Sequence, residues 1–227
     1  MRRLILFDID GTLVWGGPAK SAFCDALLET YGTAGDTERL SFAGKTDPQI
    51  ARQLLRGAGL DDGAIEAGLD DLWARYLRHL GERIAHDPVE VLPGVTALLD
   101  ALATLDGIAV GLLTGNIVGG AELKLGSAGL WGRFGVGSYG SDHEERDELP
   151  AIALGRARGL WGDRLQAADA FVVGDTPRDV ACGRCGGMRT LAVATGTYSV
   201  ADLRDTGADH VLDDLAATDA VVEILAG

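Results

Sequence analysis

The sequence is poor in the residues that build disulfide frameworks, basic surfaces and aromatic clusters. Among 227 residues there are three cysteines and four histidines, and aromatic residues make up 6% of the chain. Lys and Arg total 20 against 34 Asp and Glu, which gives a formal net charge of −14. A charge of this sign argues against nucleic acid or an anionic membrane as a partner. Any anionic substrate would therefore need a local positive site.

Long apolar segments are missing as well. No run approaches the length that a membrane-spanning helix needs, and Met1-Arg2-Arg3 leads directly into a strand-like run, without the apolar region of a signal peptide. We therefore expect a cytoplasmic protein that binds no membrane. The remaining composition, 47% hydrophobic and 24% charged residues, is typical of a globular protein with one large domain or a core plus an insertion.

The cysteines offer one suggestive spacing, Cys182-Gly-Arg-Cys185. A zinc centre would need further ligands, and the four histidines are scattered along the chain. The pair also lies in a predicted helix, within a run of small residues at 181–187. We therefore interpret this spacing as close helix packing and not as a metal or redox site.

The most informative segment is the run 4–12, Leu-Ile-Leu-Phe-Asp-Ile-Asp-Gly-Thr. Its four apolar residues predict a buried parallel strand. Asp8 and Asp10 follow at once, and alternation along an extended backbone places both carboxylates on the same side. Two like charges at a buried strand end are costly unless a cation compensates them. Asp and Gly are, however, also common where a strand simply ends in a turn.

Apolar strand-like runs alternate with helical patterns along most of the chain. This alternation predicts an α/β fold with a doubly wound, Rossmann-like and mostly parallel sheet, whose ligand site lies at the carboxyl ends of the strands. Strands are expected at 4–7, 108–113, 134–137, 170–173, 191–194 and 210–212, and helices at 94–104, 118–129, 147–158, 178–186, 200–206 and 215–225.

The segment 15–89 breaks this alternation. It contains no convincing strand, and its apolar periodicity predicts helices at 19–31, 47–58, 62–67 and 69–85. Gly16-Gly17-Pro18 and Asp87-Pro88 are plausible hinges. The expected organisation is therefore an α/β core of residues 1–14 and 90–227, interrupted after its first strand by an all-helical domain of residues 15–89.

Two further strands are followed by polar residues. Thr114-Gly115-Asn116 follows the second predicted strand and suits either a helix cap or a phosphate site at a helix N-terminus. The segment 174–179, Gly-Asp-Thr-Pro-Arg-Asp, follows the fourth and has the pattern of a capped helix start. In such a sheet, Asp175 and Asp179 would join the first carboxylate pair in an oxygen-rich pocket of the kind that holds Mg²⁺.

Taken in order, Asp8-Ile9-Asp10-Gly11-Thr12, Thr114-Gly115-Asn116 and the segment 174–179 resemble the motifs of the haloacid dehalogenase (HAD) superfamily of phosphohydrolases. The resemblance spans the α/β core and is nearest to phosphoglycolate-phosphatase-like members. The helical insertion resembles the C1-type cap, which sets substrate specificity in this family. Dehalogenase members lack the second aspartate, so Asp10 favours phosphoryl transfer.

The resemblance implies a Mg²⁺-dependent phosphatase that hydrolyses a small phosphorylated metabolite through an aspartyl-phosphate intermediate. Asp8 would be the nucleophile, and Asp10 would protonate the leaving alcohol and then activate water. This division needs Asp8 ionised while Asp10 can carry a proton. The Mg²⁺ ion would be held by Asp8, Asp175 and the backbone carbonyl of Asp10, with Asp179 as a direct or supporting ligand.

The phosphoryl oxygens would be bound by Thr114 together with the backbone N–H groups of Gly115 and Asn116. The family also places a basic residue, usually Lys, before the last aspartate motif, and this sequence has no Lys-Pro there. By chain position Arg146 is the best substitute and Lys124 the second candidate. Either could instead form a surface salt bridge, but an Arg could still bind phosphate through two parallel hydrogen bonds.

One of the three lysines of the chain lies in the loop 43–47, Ala-Gly-Lys-Thr-Asp, between helical segments of the insertion. Lys45 is the cap residue most suited to contact an anionic part of the substrate. The loop is equally well described as a solvated helix start with Thr46 or Asp47 as its cap.

Three other functions share parts of this pattern. A phosphomutase of the same superfamily would share every core motif and differ in its cap. A signalling receiver domain carries its acceptor Asp on a later strand and has no helical insertion after the first. A non-catalytic phosphate-binding or regulatory protein would not need the intact pair Asp8 and Asp10. The cap size favours a small-molecule phosphate ester as substrate over protein or nucleic-acid phosphates, and the sequence carries no signal for an oligomeric state.

Overall fold

A central six-stranded sheet and a separate helical layer are built from the elements of the computed structural model, which describes residues 3–227. In chain order these are β1 (Arg3–Phe7), β2 (Val14–Trp15), α1 (Ala19–Tyr31), α2 (Asp47–Gly57), α3 (Asp62–Ile84), β3 (Glu90–Val91), α4 (Val95–Ala103), β4 (Ile108–Leu113), α5 (Val118–Ser127), β5 (Val136–Ser138), α6 (Leu149–Trp161), β6 (Ala170–Gly174), α7 (Pro177–Cys185), β7 (Arg189–Val193), α8 (Val200–Arg204), β8 (His210–Leu212) and α9 (Thr218–Ala226).

The large sheet is parallel throughout, with the strand order β5-β4-β1-β6-β7-β8. The first strand is therefore central, and Leu6 lies opposite Gly111 of β4 and Val172 of β6. Residues 4–7 are fully buried because apolar side chains leave both faces of β1. Burying one such side chain contributes roughly 1.5–3 kcal/mol.

Helices cover both faces of this sheet. Ile5 and Phe7 belong to a core cluster with residues of α4, α5 and α9, whereas Leu4 and Leu6 pack with residues of α6 and α7. Alternate residues of β1 thus pack into the hydrophobic cores on the two opposite faces of the sheet. The predicted doubly wound α/β fold is confirmed.

The helical layer consists of α1, α2 and α3, and one prediction about it is wrong. The sequence predicts separate helices at 62–67 and 69–85, but α3 runs without a break over Asp62–Ile84. The interruption was expected at Gly68, where a Cβ atom would lie 2.6 Å from the ring of Tyr31. The glycine therefore provides room for Tyr31, whose hydroxyl donates a hydrogen bond of 2.6 Å to the carbonyl of Ile65.

A two-stranded antiparallel ribbon joins the helical layer to the sheet, and the sequence analysis did not predict it. Val14 of β2 pairs with Val91 of β3, and Trp15 pairs with Glu90. Two residues on each side are too few to produce a recognisable alternation. The predicted hinge sequences lie directly beside this ribbon, after β2 and before β3.

Smaller differences concern where elements begin and end. The weak strand predicted at 134–137 is Val136–Ser138 and follows a short 3-10 turn at 131–133. Helix α6 begins after another 3-10 turn, Arg146–Glu148, and α8 ends at Arg204 instead of residue 206. Within residues 3–227, no helix is both long and apolar enough to cross a bilayer.

The Cys182-x-x-Cys185 spacing lies in α7 as predicted. Cys182 is completely buried and its thiol donates to the carbonyl of Arg146 at 3.2 Å, whereas Cys185 is exposed. Within the described part of the chain, neither belongs to a cluster that could hold a metal ion. These contacts fit the packing interpretation.

Candidate active site

Three buried carboxylates meet at the carboxyl edge of the sheet. Asp8 follows β1, Asp175 follows the neighbouring strand β6, and Asp179 lies in the first turn of α7. One oxygen from each lies within 4.8 Å of the others. The predicted convergence of Asp8, Asp175 and Asp179 is thus present, while the side chain of Asp10 lies outside this cluster.

The turn after β1 depends on Gly11. Its φ of +83° lies in the left-handed region, which residues other than glycine adopt only at a cost in conformational energy. A Cβ atom there would also lie 2.3 Å from Oδ2 of Asp175. The adjacent Thr12 hydroxyl donates to Oδ1 of Asp175 at 3.3 Å, a contact that the sequence analysis missed.

Asp179 has two tasks, one local and one in the site. Its Oδ2 accepts hydrogen bonds from the backbone N–H and the hydroxyl of Thr176, at 2.9 and 2.7 Å, and so caps α7. Its other oxygen forms an ion pair with Arg146. The helix-cap interpretation and the site interpretation are therefore compatible.

Arg146 is the basic residue next to the predicted nucleophile. Its Nη2 lies 3.2 Å from Oδ1 of Asp8, and the guanidinium is buried between Asp8 and Asp179. Burial alone would lower the pKa of Arg146, but the charges of Asp179 and Asp8 outweigh it and raise the pKa above its ordinary value. The Nε atom is buried without a hydrogen-bond partner among residues 3–227, and this N–H could donate to an anionic ligand.

Lys124 reaches the site as well, but it contacts a different carboxylate. From α5 its Nζ donates to both oxygens of Asp10, at 2.8 and 2.7 Å, and to Oδ1 of Asn116 at 2.7 Å. The Asn116 amide donates to Asp10 at 2.8 Å and to the Thr114 hydroxyl oxygen at 2.8 Å. The surface salt bridge considered for Lys124 and Arg146 is excluded, because both side chains are about 5% exposed.

The two aspartates of the first motif have opposite pKa shifts. Burial and the charges of Asp179 and Asp10 raise the pKa of Asp8 to about 6, although Arg146 acts against this rise. Loss of solvent also acts to raise the pKa of Asp10, but the charge of Lys124 and hydrogen bonds from Lys124 and Asn116 lower it below its ordinary value. The predicted roles require an ionised Asp8 and an Asp10 that can carry a proton, so Asp8 should have the lower pKa. The protein without a bound cation has the opposite order.

The carboxylate cluster fits a divalent cation. Burial, with the charges of Asp179 and Asp8, raises the pKa of Asp175 to about 9, and no cationic side chain within residues 3–227 pairs with Asp175. Three buried carboxylates facing one guanidinium form an all-oxygen donor set with excess negative charge, which hard cations such as Mg²⁺ prefer. A cation bound there would also lower the pKa of Asp8.

The loop 43–47 packs against the strand-end residues of the core. A Cβ atom on Gly115 would lie 2.0 Å from the carbonyl oxygen of Lys45, so glycine is required for this approach. The Asp47 N–H donates to the Gly115 carbonyl at 2.8 Å, and the Asp47 carboxylate accepts from the backbone N–H of Ile117 at 2.8 Å. Gly115, which the family resemblance assigns to the phosphate site, is therefore also required for the contact between this loop and the core.

Two other residues of the loop have separate contacts. Thr46 is buried, caps α2 by accepting from the N–H of Gln49 at 3.2 Å, and donates to the carbonyl of Glu144 at 2.6 Å. Lys45 donates to Gln53 at 2.7 Å. Of the two caps considered, Thr46 caps its own helix, whereas Asp47 binds the start of α5.

A single cavity of about 490 Å³ brings these residues together. Its core side is lined by the carboxylates, both basic residues and the Thr114 segment, and its other side by the helical layer and Lys45. The predicted catalytic, phosphate-binding and cap residues thus share one cavity: Asp8, Asp10, Lys45, Thr114, Gly115, Asn116, Lys124, Arg146 and Asp175.

Comparisons with known proteins agree with this geometry. A family model described as haloacid dehalogenase-like hydrolase matches residues 2–187. The phosphoglycolate phosphatase of Rhodospirillum rubrum is 32% identical in an alignment that covers 96% of this chain and 89% of that protein.

Two solved structures share the fold. A hydrolase from Pseudomonas syringae superposes with a TM-score of 0.73 at 20% identity, covering 100% of both chains. A proposed β-phosphoglucomutase from Thermotoga maritima superposes with a TM-score of 0.63 at 19% identity, covering 99% of this chain and 100% of that one. With a family match over most of its length, the chain belongs to the haloacid dehalogenase-like hydrolases, and the predicted enzyme class, a hydrolase of phosphate monoesters, is confirmed.

Proposed function

We propose that this protein is a Mg²⁺-dependent, cytoplasmic phosphatase that hydrolyses a small phosphorylated metabolite through a phosphorylated Asp8. The observation that carries the proposal is the position of Asp8, a buried carboxylate at the end of the central strand, facing the cavity beside Arg146. We further propose that residues 1–14 and 90–227 form the catalytic core and residues 15–89 a C1-type cap.

The reaction proceeds in two halves. In the first, a carboxylate oxygen of Asp8 forms a bond to phosphorus while the bond between phosphorus and the alcohol oxygen breaks, and Asp10 gives its proton to the departing alcohol. In the second, Asp10 takes a proton from a water molecule that attacks the phosphorus of the aspartyl phosphate. Phosphate leaves, the Asp8 carboxylate is regenerated, and Asp10 again carries a proton.

The two basic residues divide the remaining work. Arg146 lies within reach of Asp8 and is placed to neutralise the negative charge on the transferring phosphoryl group. Lys124 and Asn116 hold the carboxylate of Asp10, so they orient the proton-transfer group and favour its ionised form. For its acid role Asp10 must gain a proton against this preference, and a phosphate dianion beside Lys124 would weaken that lysine's hold on Asp10.

Mg²⁺ would be held by Asp8, Asp175 and the backbone carbonyl of Asp10, with Asp179 as a direct or supporting ligand. When bound, the ion would supply positive charge near the phosphoryl oxygens and would favour the ionised form of Asp8. Thr114 already accepts a hydrogen bond from Asn116, so its own hydroxyl proton can be donated to a phosphoryl oxygen. Backbone N–H groups of Gly115 and Asn116 complete the proposed phosphate site.

The test is release of inorganic phosphate from p-nitrophenyl phosphate by the purified protein. Activity should require Mg²⁺ and should be lost with a chelator. It should fall by roughly 10⁴-fold or more in Asp8→Asn, which removes the nucleophile while keeping the shape of the side chain. Asp163→Asn, an exposed aspartate outside the cavity, is the matched control and should keep full activity.

Two readouts distinguish this proposal from its alternatives. Acid quenching during turnover of radiolabelled ester should leave label on the wild-type protein and none on Asp8→Asn. Release of free phosphate distinguishes hydrolysis from transfer of the phosphoryl group within a sugar phosphate. Activity in Asp8→Asn close to that of the wild type would contradict the proposal. The related phosphatase makes 2-phosphoglycolate the first metabolite to assay.

A further inference from the structure

The segment 15–89 gives the cavity an aromatic lining. Trp15, Phe23, Phe42 and Tyr76 line it, together with Ile50, although aromatic residues make up only 6% of the chain. Phe23 packs edge to face against Phe42 and against Tyr76, with ring centroids 6.2 and 5.3 Å apart. Phe23 and Tyr76 are almost completely buried, whereas Phe42 is partly exposed and Trp15 is half-exposed, so Phe42 and Trp15 are the two rings with surface left for a ligand.

The cavity is also larger than a two-carbon acid requires. At roughly 10–15 Å³ of cavity volume for each water-sized group, a phosphoryl group and a hydrated cation, about ten such groups together, would fill about 150 of the 490 Å³. Glycolate would add about five such groups, so more than half of the cavity would stay free. This volume fits a larger leaving group, and the aromatic lining favours one with apolar surface.

The two lysines of the segment 15–89, Lys20 and Lys45, belong to the same part of the cavity lining. All three lysines of the chain line this cavity, and Lys124 is engaged with Asp10. The ammonium of Lys20 lies 5.5 Å from the ring centroid of Phe42, and its nearest carboxylate, Glu38, is 4.0 Å away and exposed. Within residues 3–227, the ammonium of Lys45 has one hydrogen-bond partner, the neutral side chain of Gln53, and burial together with the nearby positive charge of Arg178 lowers the pKa of Lys45.

Extending the phosphatase function proposed above, we propose that the preferred substrate is the phosphate monoester of an aromatic alcohol that carries an acidic group on its ring. The ring packs on Phe42 and Trp15, and the acidic group faces the ammonium of Lys20, with Lys45 as its second cationic neighbour. The helical layer also contributes one carboxylate to the cavity, that of Asp47. This carboxylate already accepts a hydrogen bond from the N–H of Ile117.

The test compares kcat/KM for four separate substrates. Three are esters of simple primary alcohols, namely ethyl phosphate, benzyl phosphate and 4-carboxybenzyl phosphate, and the fourth is 2-phosphoglycolate. Because these leaving alcohols are similar in acidity, differences in kcat/KM report binding of the leaving group. Burial of the ring should raise kcat/KM of benzyl phosphate about 10–100-fold over ethyl phosphate. The carboxyl group should add roughly a further 2–5-fold, which should shrink at high salt.

Two variants with matched controls assign these effects to residues. Phe42→Ala should lower the benzyl-to-ethyl ratio of kcat/KM about tenfold, and Phe42→Met, which keeps more volume, should lower it less. Leu28→Ala, an exposed apolar residue of α1 outside the cavity, should not change the ratio. Lys20→Met should remove the advantage of 4-carboxybenzyl over benzyl phosphate, whereas Arg56→Met, on the exposed face of α2, should keep it.

Three outcomes would overturn one or both proposals. Turnover of ethyl phosphate or 2-phosphoglycolate equal to or better than that of benzyl phosphate overturns this inference and leaves the phosphatase proposal standing. An unchanged benzyl-to-ethyl ratio in folded Phe42→Ala and Phe42→Met does the same. No phosphate release from any of the four esters or from p-nitrophenyl phosphate overturns the phosphatase proposal together with the inference.

Discussion

The two walls of the cavity differ in how their charged groups are held. On the core wall, the side chains of Arg146 and Lys124 are almost completely buried; Arg146 pairs with the buried carboxylates of Asp8 and Asp179, and Lys124 pairs with Asp10, which follows the central strand. On the helical wall, Lys20 is more than half exposed, and Lys45 has one neutral partner. The groups with proposed catalytic roles are thus fixed in advance, whereas the groups proposed to contact the leaving alcohol remain adjustable.

This difference implies separate consequences of mutation. Loss of Arg146 should cost both stability and turnover, because it removes one partner of a buried charge pair, whereas loss of Lys124, whose partner Asp10 is half-exposed, should mainly affect turnover. Changes on the helical wall should alter the choice of substrate with little effect on folding, because their charges are solvated or weakly bound.

The largest effect should come from Arg146→Met. The substitution leaves Asp8 and Asp179 buried without their cation, so the free energy of unfolding in Mg²⁺-free buffer should fall by roughly 3–5 kcal/mol. Urea denaturation followed by circular dichroism measures this change. Arg133→Met, which breaks an exposed pair with Asp100, is the control and should cost at most about 1 kcal/mol. Equal losses of unfolding free energy in the two variants would contradict the prediction that the buried ion pair contributes more to stability than the exposed one.

Lys124→Met should affect turnover more selectively. Without the lysine charge the pKa of Asp10 rises, so the form of Asp10 that accepts a proton from water becomes available only at higher pH. The limb of the pH profile of kcat that requires ionised Asp10 should therefore move to higher pH, and kcat at neutral pH should fall roughly tenfold. A uniform loss of kcat with no change in the profile would contradict the assigned role.

The carboxylate cluster should make stability depend on pH in the absence of Mg²⁺. Unfolded Asp175 ionises near 3.8, whereas its folded pKa is raised to about 9, and Asp8 is raised to about 6. Between these values the folded protein holds protons that the unfolded chain has released, so stability falls as pH rises. From pH 6 to 9 the loss should be at least ~1 kcal/mol, or a decrease in Tm of roughly 2–4 °C for a chain of this size.

Two additions test this explanation. Saturating Mg²⁺ should flatten the dependence, because a bound cation replaces the protons. Asp175→Asn should flatten it without Mg²⁺, because the neutral amide has nothing to ionise. A Mg²⁺-free protein whose Tm is constant between pH 6 and 9 would contradict the prediction.

The smallest effect should come from the helical side. Arg52 of α2 forms ion pairs with Glu66 of α3 and, at 2.7 Å, with Glu144 of the core. Arg52→Ala should reduce stability by about 0.2–1 kcal/mol and leave kcat nearly unchanged. Arg56→Ala, whose partner Asp62 lies within the helical layer, is the comparison. A loss of several kcal/mol in Arg52→Ala would contradict the expectation that ion pairs of the helical layer contribute little to stability.

Sequence patterns revealed the sheet and its edge because both depend on short-range order. Asp8 and Asp175 directly follow apolar runs, and parallel strands necessarily place their carboxyl ends together. The resemblance of these motifs to a known family then predicted the chemistry. The match to the family model confirmed that the chain belongs to this family. Asp179 could be placed for the same reason, since it caps the helix that leaves β6.

Contacts between distant elements were not predictable in this way. Lys124 is 114 positions from Asp10, and its preference for Asp10 over Asp8 depends on the orientation of α5 in space. The sequence prediction ended one helix at residue 67 and began the next at 69, but the glycine between them, Gly68, lies inside α3 and leaves room for the ring of Tyr31. The ribbon of β2 and β3 was missed because two residues form no pattern.

That ribbon has a structural consequence for how the chain is assembled. Val14 and Val91 are opposed in a strand pair, so the chain leaves for the helical layer and returns from it at points that lie about 5 Å apart. A two-residue turn such as Asn-Gly spans that gap and would convert the ribbon into a continuous hairpin. The strand order of the sheet therefore does not depend on the length of the helical segment that is inserted between β2 and β3.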